Sequence, residues 1–452
     1  MGRWKAACAS IDVTPAPGGA MTGYIAREGP SEGVLDPLFL RGLLLDDGAR
    51  RFLLLAYDCL ALPLEWIGEA RIRMSKKFDL EPKAVWITAT HTHSGPATVF
   101  LRECGEVDTD YLAGLKKATD ELAGRLSAEL RPARLGSGTG RLRIGYNRRA
   151  ATPEGVRIGE NFYGAYDEAL AVLRVDEADG RLRHLVINHG CHPTVLGPAN
   201  RNISPDWPGY ASAAAARLAA DGSTKLTAGG LTAMVVNGAC GDVNPEGHGT
   251  TVAKAKELGE RVARAALKTA GAITTMEEGT LAFATDSVDA PLAFPEAEAV
   301  PAGAGAAGKP GARSFTQPVG VVVSPAVRAR IARAHAAWRE GVDAYIASGK
   351  KPGAMRIRAD AARIGDSVWI GLAGEPFAEI GTSIRAASRA PATFVLGYVG
   401  GDVGYFPTRA GFAAGGYEAA EAYKFYGLFP FAPGIGERLA EAAGRLAGQL
   451  MI

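Results

Sequence analysis

Apolar residues along this chain follow two rhythms that take turns. Short unbroken apolar runs at 43–45, 52–57, 85–88, 231–236, 368–372 and 393–396, bounded by turn-forming residues, predict strands buried on both faces. Between them, apolar residues at three-to-four spacing predict helices over 64–77, 111–130, 208–220, 252–270, 326–348 and 435–450. Strands that alternate with helices predict an α/β layer architecture in which helices cover sheet faces. Residues 291–320, crowded with Pro, Gly and Ala, fit neither rhythm and predict a flexible surface loop. Residues with candidate chemistry lie on both sides of it. The expectation is therefore one domain, 1–452, interrupted by that loop.

Composition narrows the picture without redirecting it. The 452 residues are 47% hydrophobic and 22% charged, the mixture of an ordinary folded protein. Basic and acidic residues, 50 against 48, leave a charge of +2 with no basic run interleaved with aromatics, so a small-molecule substrate is expected and a nucleic acid is not. No stretch reaches the roughly 18 consecutive apolar residues of a spanning helix, so no membrane insertion is expected. The first residues contain no apolar run of signal-peptide length, and the five cysteines have wide spacings with no C-x-x-C pair. Both features suit a cytoplasmic protein with reduced thiols. Oligomeric state leaves no trace in the sequence.

Chemistry concentrates at strand ends. Ala84 to Pro96 reads as a strand running into a Gly-Pro turn, and strand alternation would aim His91 and His93 the same way. Two converging imidazoles make a metal ligand pair, or one ligand with a proton-transfer partner. Three more of the seven histidines, His184, His189 and His192, crowd a second strand end. His192 is held extended by Pro193, His189 competes with it as a ligand, and His184 reads as an ordinary strand residue. A third strand ends in Gly241-Asp-Val-Asn-Pro245, where Asp242 either orients a ligand histidine or satisfies turn amides. A fourth delivers Glu375 to the start of a helix, where an acidic residue can also be a simple cap.

Together, Thr90-His-Thr-His-Ser-Gly-Pro96, Cys191-His-Pro-Thr194, Gly241-Asp-Val-Asn-Pro245, Gly374-Glu375 and the Tyr-rich segment 398–418 resemble, in order, the motifs of the neutral ceramidase family. The likeness also takes in Ala9-Ser-Ile-Asp-Val-Thr-Pro15, Met21-Thr-Gly-Tyr24, Asp36-Pro-Leu38 and Ile203-Ser-Pro-Asp-Trp-Pro-Gly-Tyr210. It implies an α/β fold of mixed β-sheets layered with flanking helices, and one zinc ion per chain. Carried over motif by motif, the zinc ligands fall on His91, His192, Glu375 and Tyr405. His93 resembles the family's non-ligand active-site histidine, Asn147-Arg148 its Asn-Arg contact, and Tyr417 a substrate-contacting tyrosine. The sequence departs at Asn244, where neutral ceramidases carry the Ser of a G-D-x-S-P turn. The family's immunoglobulin-like carboxy-terminal domain is not expected within these 452 residues.

An amide cannot supply a nucleophilic hydroxyl, so the expected reaction is hydrolysis by metal-activated water of an amide or ester bond in a small soluble substrate. In that scheme His93 shuttles a proton, and Arg148 or Tyr417 stabilises the developing oxyanion. The same donors would also suit a metal-dependent lyase or isomerase acting on a hydroxy or keto compound. True ceramide hydrolysis, or a metal-stabilised binding protein, would be further outcomes.

Overall fold

The computed structural model describes residues 2–221, 226, 228–294, 318–320 and 323–451. Most of the loop expected over 291–320 lies outside the described residues.

Each apolar run is a strand whose alternate side chains enter two different cores. In Arg51–Tyr57, Leu53, Leu55 and Tyr57 face one core while Phe52, Leu54 and Ala56 face another. Ser367–Leu372 likewise divides Val368, Ile370 and Leu372 from Trp369. With both faces dry there is no polar position to alternate with, which is why these strands read as continuous apolar runs. The result is four layers. An eight-stranded sheet and a four-stranded sheet face each other across a core that includes Trp4, Phe52, Trp86, Phe283, Trp369 and Phe394. Helices Leu64–Phe78, Thr109–Ala128, Asp206–Ala220 and Val252–Gly271 cover the outer face of the larger sheet. Ala378–Ala387 and Ile435–Leu450 cover the smaller one. Both sheets mix parallel and antiparallel pairs, as the resemblance implied.

The six expected helices all form, and three of them start at a capping side chain, Asp108, Thr251 or Ser324. Thr109–Ala128 starts two residues before the apolar rhythm because the Asp108 carboxylate accepts from the Tyr111 amide at 2.8 Å. Several antiparallel strands carry no apolar rhythm and were not expected. Arg131–Arg141 is one, and its glycines at 136, 138 and 140 are there for close packing, since a Cβ at any of them would collide with Thr269, Ile273 or Thr274. Glycine both permits that approach and erases the strand signal.

Two contacts bring the strand ends together. The Asn188 amide donates to the carbonyls of Val236 and Val395 and its oxygen accepts from the Val395 amide, tying the edge of the small sheet to the large one. At the opposite edges of the large sheet, Asn237 Nδ2 donates to the Thr90 carbonyl at 3.2 Å. The carboxyl ends of Val85–Ala89, Leu182–His189, Ala228–Asn237 and Ser367–Leu372 thereby converge.

Candidate metal centre

His91 and His93 do meet, though not by strand alternation. The strand stops at Ala89, and His91 adopts a left-handed backbone with φ of 69°. A non-glycine residue in that conformation is held there by its surroundings. The two rings lie 4.9 Å apart at 83°, and His192 sits 5.0 Å from His91 and 5.8 Å from His93. All three are buried, with ligand atoms within 4.8 Å of one another. Gly23, at φ +105°, makes room for the His93 ring, which a Cβ there would strike.

The tautomers are fixed by backbone. Nδ1 of His91 bonds the Leu60 carbonyl at 2.8 Å, that of His93 the Gly23 carbonyl at 3.1 Å, and that of His192 the Cys240 and Val243 carbonyls at 2.7 and 3.0 Å. A neutral imidazole that donates from Nδ1 presents a lone pair at Nε2. Nε2 of His91 and of His93 is buried without a hydrogen-bond partner. Glu375 closes the cluster, its Oε2 standing 3.0 Å from His192 Nε2 and 3.5 Å from His91 Nε2. Converging lone pairs with one carboxylate and orphaned nitrogens are a donor set that fits a metal ion.

Local structure explains how Glu375 arrives. It belongs to a two-residue strand paired in parallel with Tyr405–Phe406, in direct register with Tyr405. The cap reading of Glu375 fails because Asp242 does that work, accepting from the Ala378 amide at 2.8 Å. Its other oxygen accepts from Asn147 at 2.7 Å. Asp242 therefore orients no histidine. His189 has both nitrogens occupied, by Tyr166 at 3.0 Å and the Ala169 carbonyl at 3.0 Å, and stands outside the cluster. His184 bonds Thr232 within the sheet.

The remaining expected residues gather around the same point. Val243–Pro245 pairs with Gly145–Thr152, placing Asn244 opposite Tyr146 and next to Arg148. Arg148 Nη1 lies 3.4 Å from both Asn244 Oδ1 and His192 Nε2, Nε donates to Glu418 at 2.8 Å, and Nη2 is buried and unpartnered. Its guanidinium lies 5.4 Å from the Tyr405 ring centre and 5.9 Å from that of Tyr417. Asn244 is 3% exposed, so its carboxamide belongs to the wall of the site.

Charge within the cluster follows from burial and neighbours. Burial opposes ionisation of Glu375, but His91 and His192 outweigh it and hold the carboxyl well below its usual range. Burial pushes His93 far down, assisted by His91 and His192, so it is neutral. His192 falls to about 4 through burial and the Arg148 charge. Tyr405 is pushed well up by burial and Glu375, against Arg148.

Residues given no role by the sequence complete the shell, Tyr398, Asp402 and Glu418 from the Tyr-rich segment and Tyr426 from beyond it. Tyr398 stacks on His91 with ring centres 4.2 Å apart at 17° and contacts Cys240 Sγ at 3.1 Å. Tyr426 donates to Glu375 Oε1 at 2.7 Å and lies 3.0 Å from Asp402 Oδ2. Burial and the Glu375 charge raise Asp402 to about 7. Glu418 pairs with Arg148 and Arg149. The density of tyrosines after residue 398 was the available signal.

A four-layer α/β protein with a buried histidine–carboxylate cluster at the carboxyl ends of its strands is the class that fold and site define. Within it, the model for neutral/alkaline non-lysosomal ceramidase, N-terminal, matches residues 4–266, more than half of the chain, and the chain belongs to that family. It is 27% identical over 212 residues to the neutral ceramidase of Pseudomonas aeruginosa, an alignment that covers 42% of this chain and 30% of that protein. The crystal structure of neutral ceramidase from Pseudomonas aeruginosa shares the fold over 100% of this chain and 76% of its own, with a TM-score of 0.70 and 19% identity. A ceramidase complexed with C2 does so over 100% and 75%, with a TM-score of 0.72 and 18% identity. Among the described residues no helix is long and apolar enough to cross a membrane.

Proposed function

We propose that the chain is a zinc-dependent hydrolase of an amide or ester bond in a small soluble substrate. The observation that carries the reading is the set of three buried imidazoles, each held by an Nδ1 contact to a backbone carbonyl, with Nε2 of His91 and of His192 facing Glu375. His91, His192, Glu375 and Tyr405 would hold one ion per chain. Bound there, zinc would polarise a carbonyl and let water attack at neutral pH. Tyr405 would need that cation in order to ionise, since its surroundings favour the phenol.

The chain's own groups supply the rest. His93 is neutral and buried with a free Nε2, so it would take a proton from the attacking water and return it to the leaving group. Arg148 has a buried, unpartnered Nη2 and would hold the developing oxyanion, with Tyr417 beside it. Asn244 has no nucleophile to offer and would instead hydrogen-bond a substrate hydroxyl or amide. The shared core between the two sheets supports a single catalytic domain, and five free, buried cysteines support a cytoplasmic location.

The family's ceramide substrate is the competing outcome. Purified enzyme is assayed on long-chain ceramide in detergent beside short N-acyl amides and sugar-like esters. Faster turnover of a small substrate is expected, together with slow ceramide cleavage that Asn244→Ser accelerates. Ceramide turnover at least as fast as the best small substrate would overturn the substrate assignment.

A further inference from the structure

We propose that Tyr426 and Asp402 are positioning residues, which together set the orientation of the Glu375 carboxylate and tie it to the loop that carries Tyr405. The inference rests on the metal reading above and concerns how the site is held rather than what it cleaves.

Glu375 divides its oxygens between two neighbourhoods. Oε2 faces the imidazoles of His192 and His91 and the Tyr398 hydroxyl at 3.4 Å, while Oε1 takes the Tyr426 hydroxyl at 2.7 Å. The same phenolic oxygen lies 3.0 Å from Asp402 Oδ2. A phenol carries one hydrogen. If it goes to Glu375, the contact with Asp402 is a hydrogen bond only when Asp402 is a neutral acid that donates to the phenolic oxygen. The opposite assignment would leave Glu375 Oε1 facing bare lone pairs at 2.7 Å inside a dry site, where an unmade bond to a charged group is costly. The order that satisfies every atom is Asp402 to Tyr426 to Glu375.

The backbone closes the same circle. Asp402 Oδ1 accepts from the Gly404 amide at 2.9 Å, the Gly404 carbonyl accepts from the Glu375 amide at 2.9 Å, and Tyr405 follows in register with Glu375. The Tyr426 and Tyr405 rings meet edge to face at 6.4 Å and 89°. Two proposed ligands therefore depend on one pair of side chains that touches neither histidine. A carboxylate freed from Tyr426 could rotate and present either oxygen to the histidines, and outer contacts of this kind are commonly worth about 10–100-fold in metal affinity.

The test compares wild type, Tyr426→Phe, Asp402→Ala and Asp402→Asn as full-length proteins. Each is stripped and reloaded with zinc alone, with affinity read by chelator competition, or with cobalt(II) alone, with geometry read from its visible absorption. Tyr426→Phe and Asp402→Ala should bind zinc about 10–100-fold more weakly and shift the cobalt bands. Asp402→Asn should restore both, because its amide N–H can donate to the phenolic oxygen as the acid does. If wild type binds no stoichiometric metal, the metal reading falls and this inference with it. Wild-type binding matched by Tyr426→Phe in affinity and spectrum overturns this inference alone. So does an Asp402→Asn variant no better than Asp402→Ala, or affinity losses that merely track lowered melting of the metal-free proteins.

Discussion

The role of a histidine in this molecule depends on what its second nitrogen meets. His91 and His93 share a motif and a type of Nδ1 contact, yet only His91 Nε2 lies within reach of Glu375. His91→Ala should lose metal and activity together, whereas His93→Ala should keep most of its metal and lose turnover, about 10²–10⁴-fold for a missing proton shuttle. Elemental analysis beside a rate assay reads both, and complete metal loss in His93→Ala would place that residue among the ligands. His184 makes a different prediction. Burial, aided by Arg183 and Arg41, pushes it down to about 3. Its folded value lies below the unfolded value near 6.5, so the unfolded chain takes up a proton that the fold refuses. The stability this residue confers is therefore full above about pH 6.5 and is lost as pH falls from there toward 3, at up to about 1.4 kcal/mol per pH unit. Urea unfolding at several pH values should show a shallower acid limb for His184→Gln, and parallel limbs would refute the assignment.

At the scale of elements, the two sheets depend on side chains that the apolar runs aim inward. Trp369 is fully buried between the sheets and stacks on Phe394 with ring centres 4.0 Å apart at 9°. Trp369→Ala should cost about 3–5 kcal/mol in denaturant unfolding, most of it from the cavity and the lost apolar burial. Ile72, 54% exposed on the helix Leu64–Phe78, should change stability by no more than about 0.5 kcal/mol when replaced by Ala. Comparable losses at the two positions would contradict the layered core. The twelve elements read from periodicity were legible because their faces are uniformly apolar or amphipathic. Strands such as Arg131–Arg141 and Leu281–Pro291 were not, since glycine and exposed polar positions break their alternation and only pairing with neighbours makes them strands.

For the whole molecule, metal and fold should be linked. The cluster joins strand ends from both sheets, and without an ion it leaves buried nitrogens unpartnered. Zinc that binds only the folded chain should stabilise it by about 2.7 kcal/mol at a free concentration one hundred times Kd. Thermal unfolding should therefore shift downward with a strong chelator and return on adding zinc. Identical midpoints with and without chelator would remove the metal from the account.

By itself the sequence determined the layers and brought forward most of the residues that meet at the strand ends. Apolar periodicity is a local property, and a run such as Thr90-His-Thr-His-Ser-Gly-Pro96 keeps its residues together wherever the chain goes. What only tertiary structure decided is which donor faces which. The left-handed turn at His91, the occupation of both His189 nitrogens and the capping role of Asp242 each depend on groups far away in the chain. Tyr426 stood outside every motif, and Asp402 lay in the Tyr-rich segment without a role of its own, because their meaning arises from a carboxylate 51 residues from Tyr426, reached by folding alone. Hydrogen bonds are directional and short, so a sequence can supply the partners but only the packed chain can bring their atoms within 3 Å.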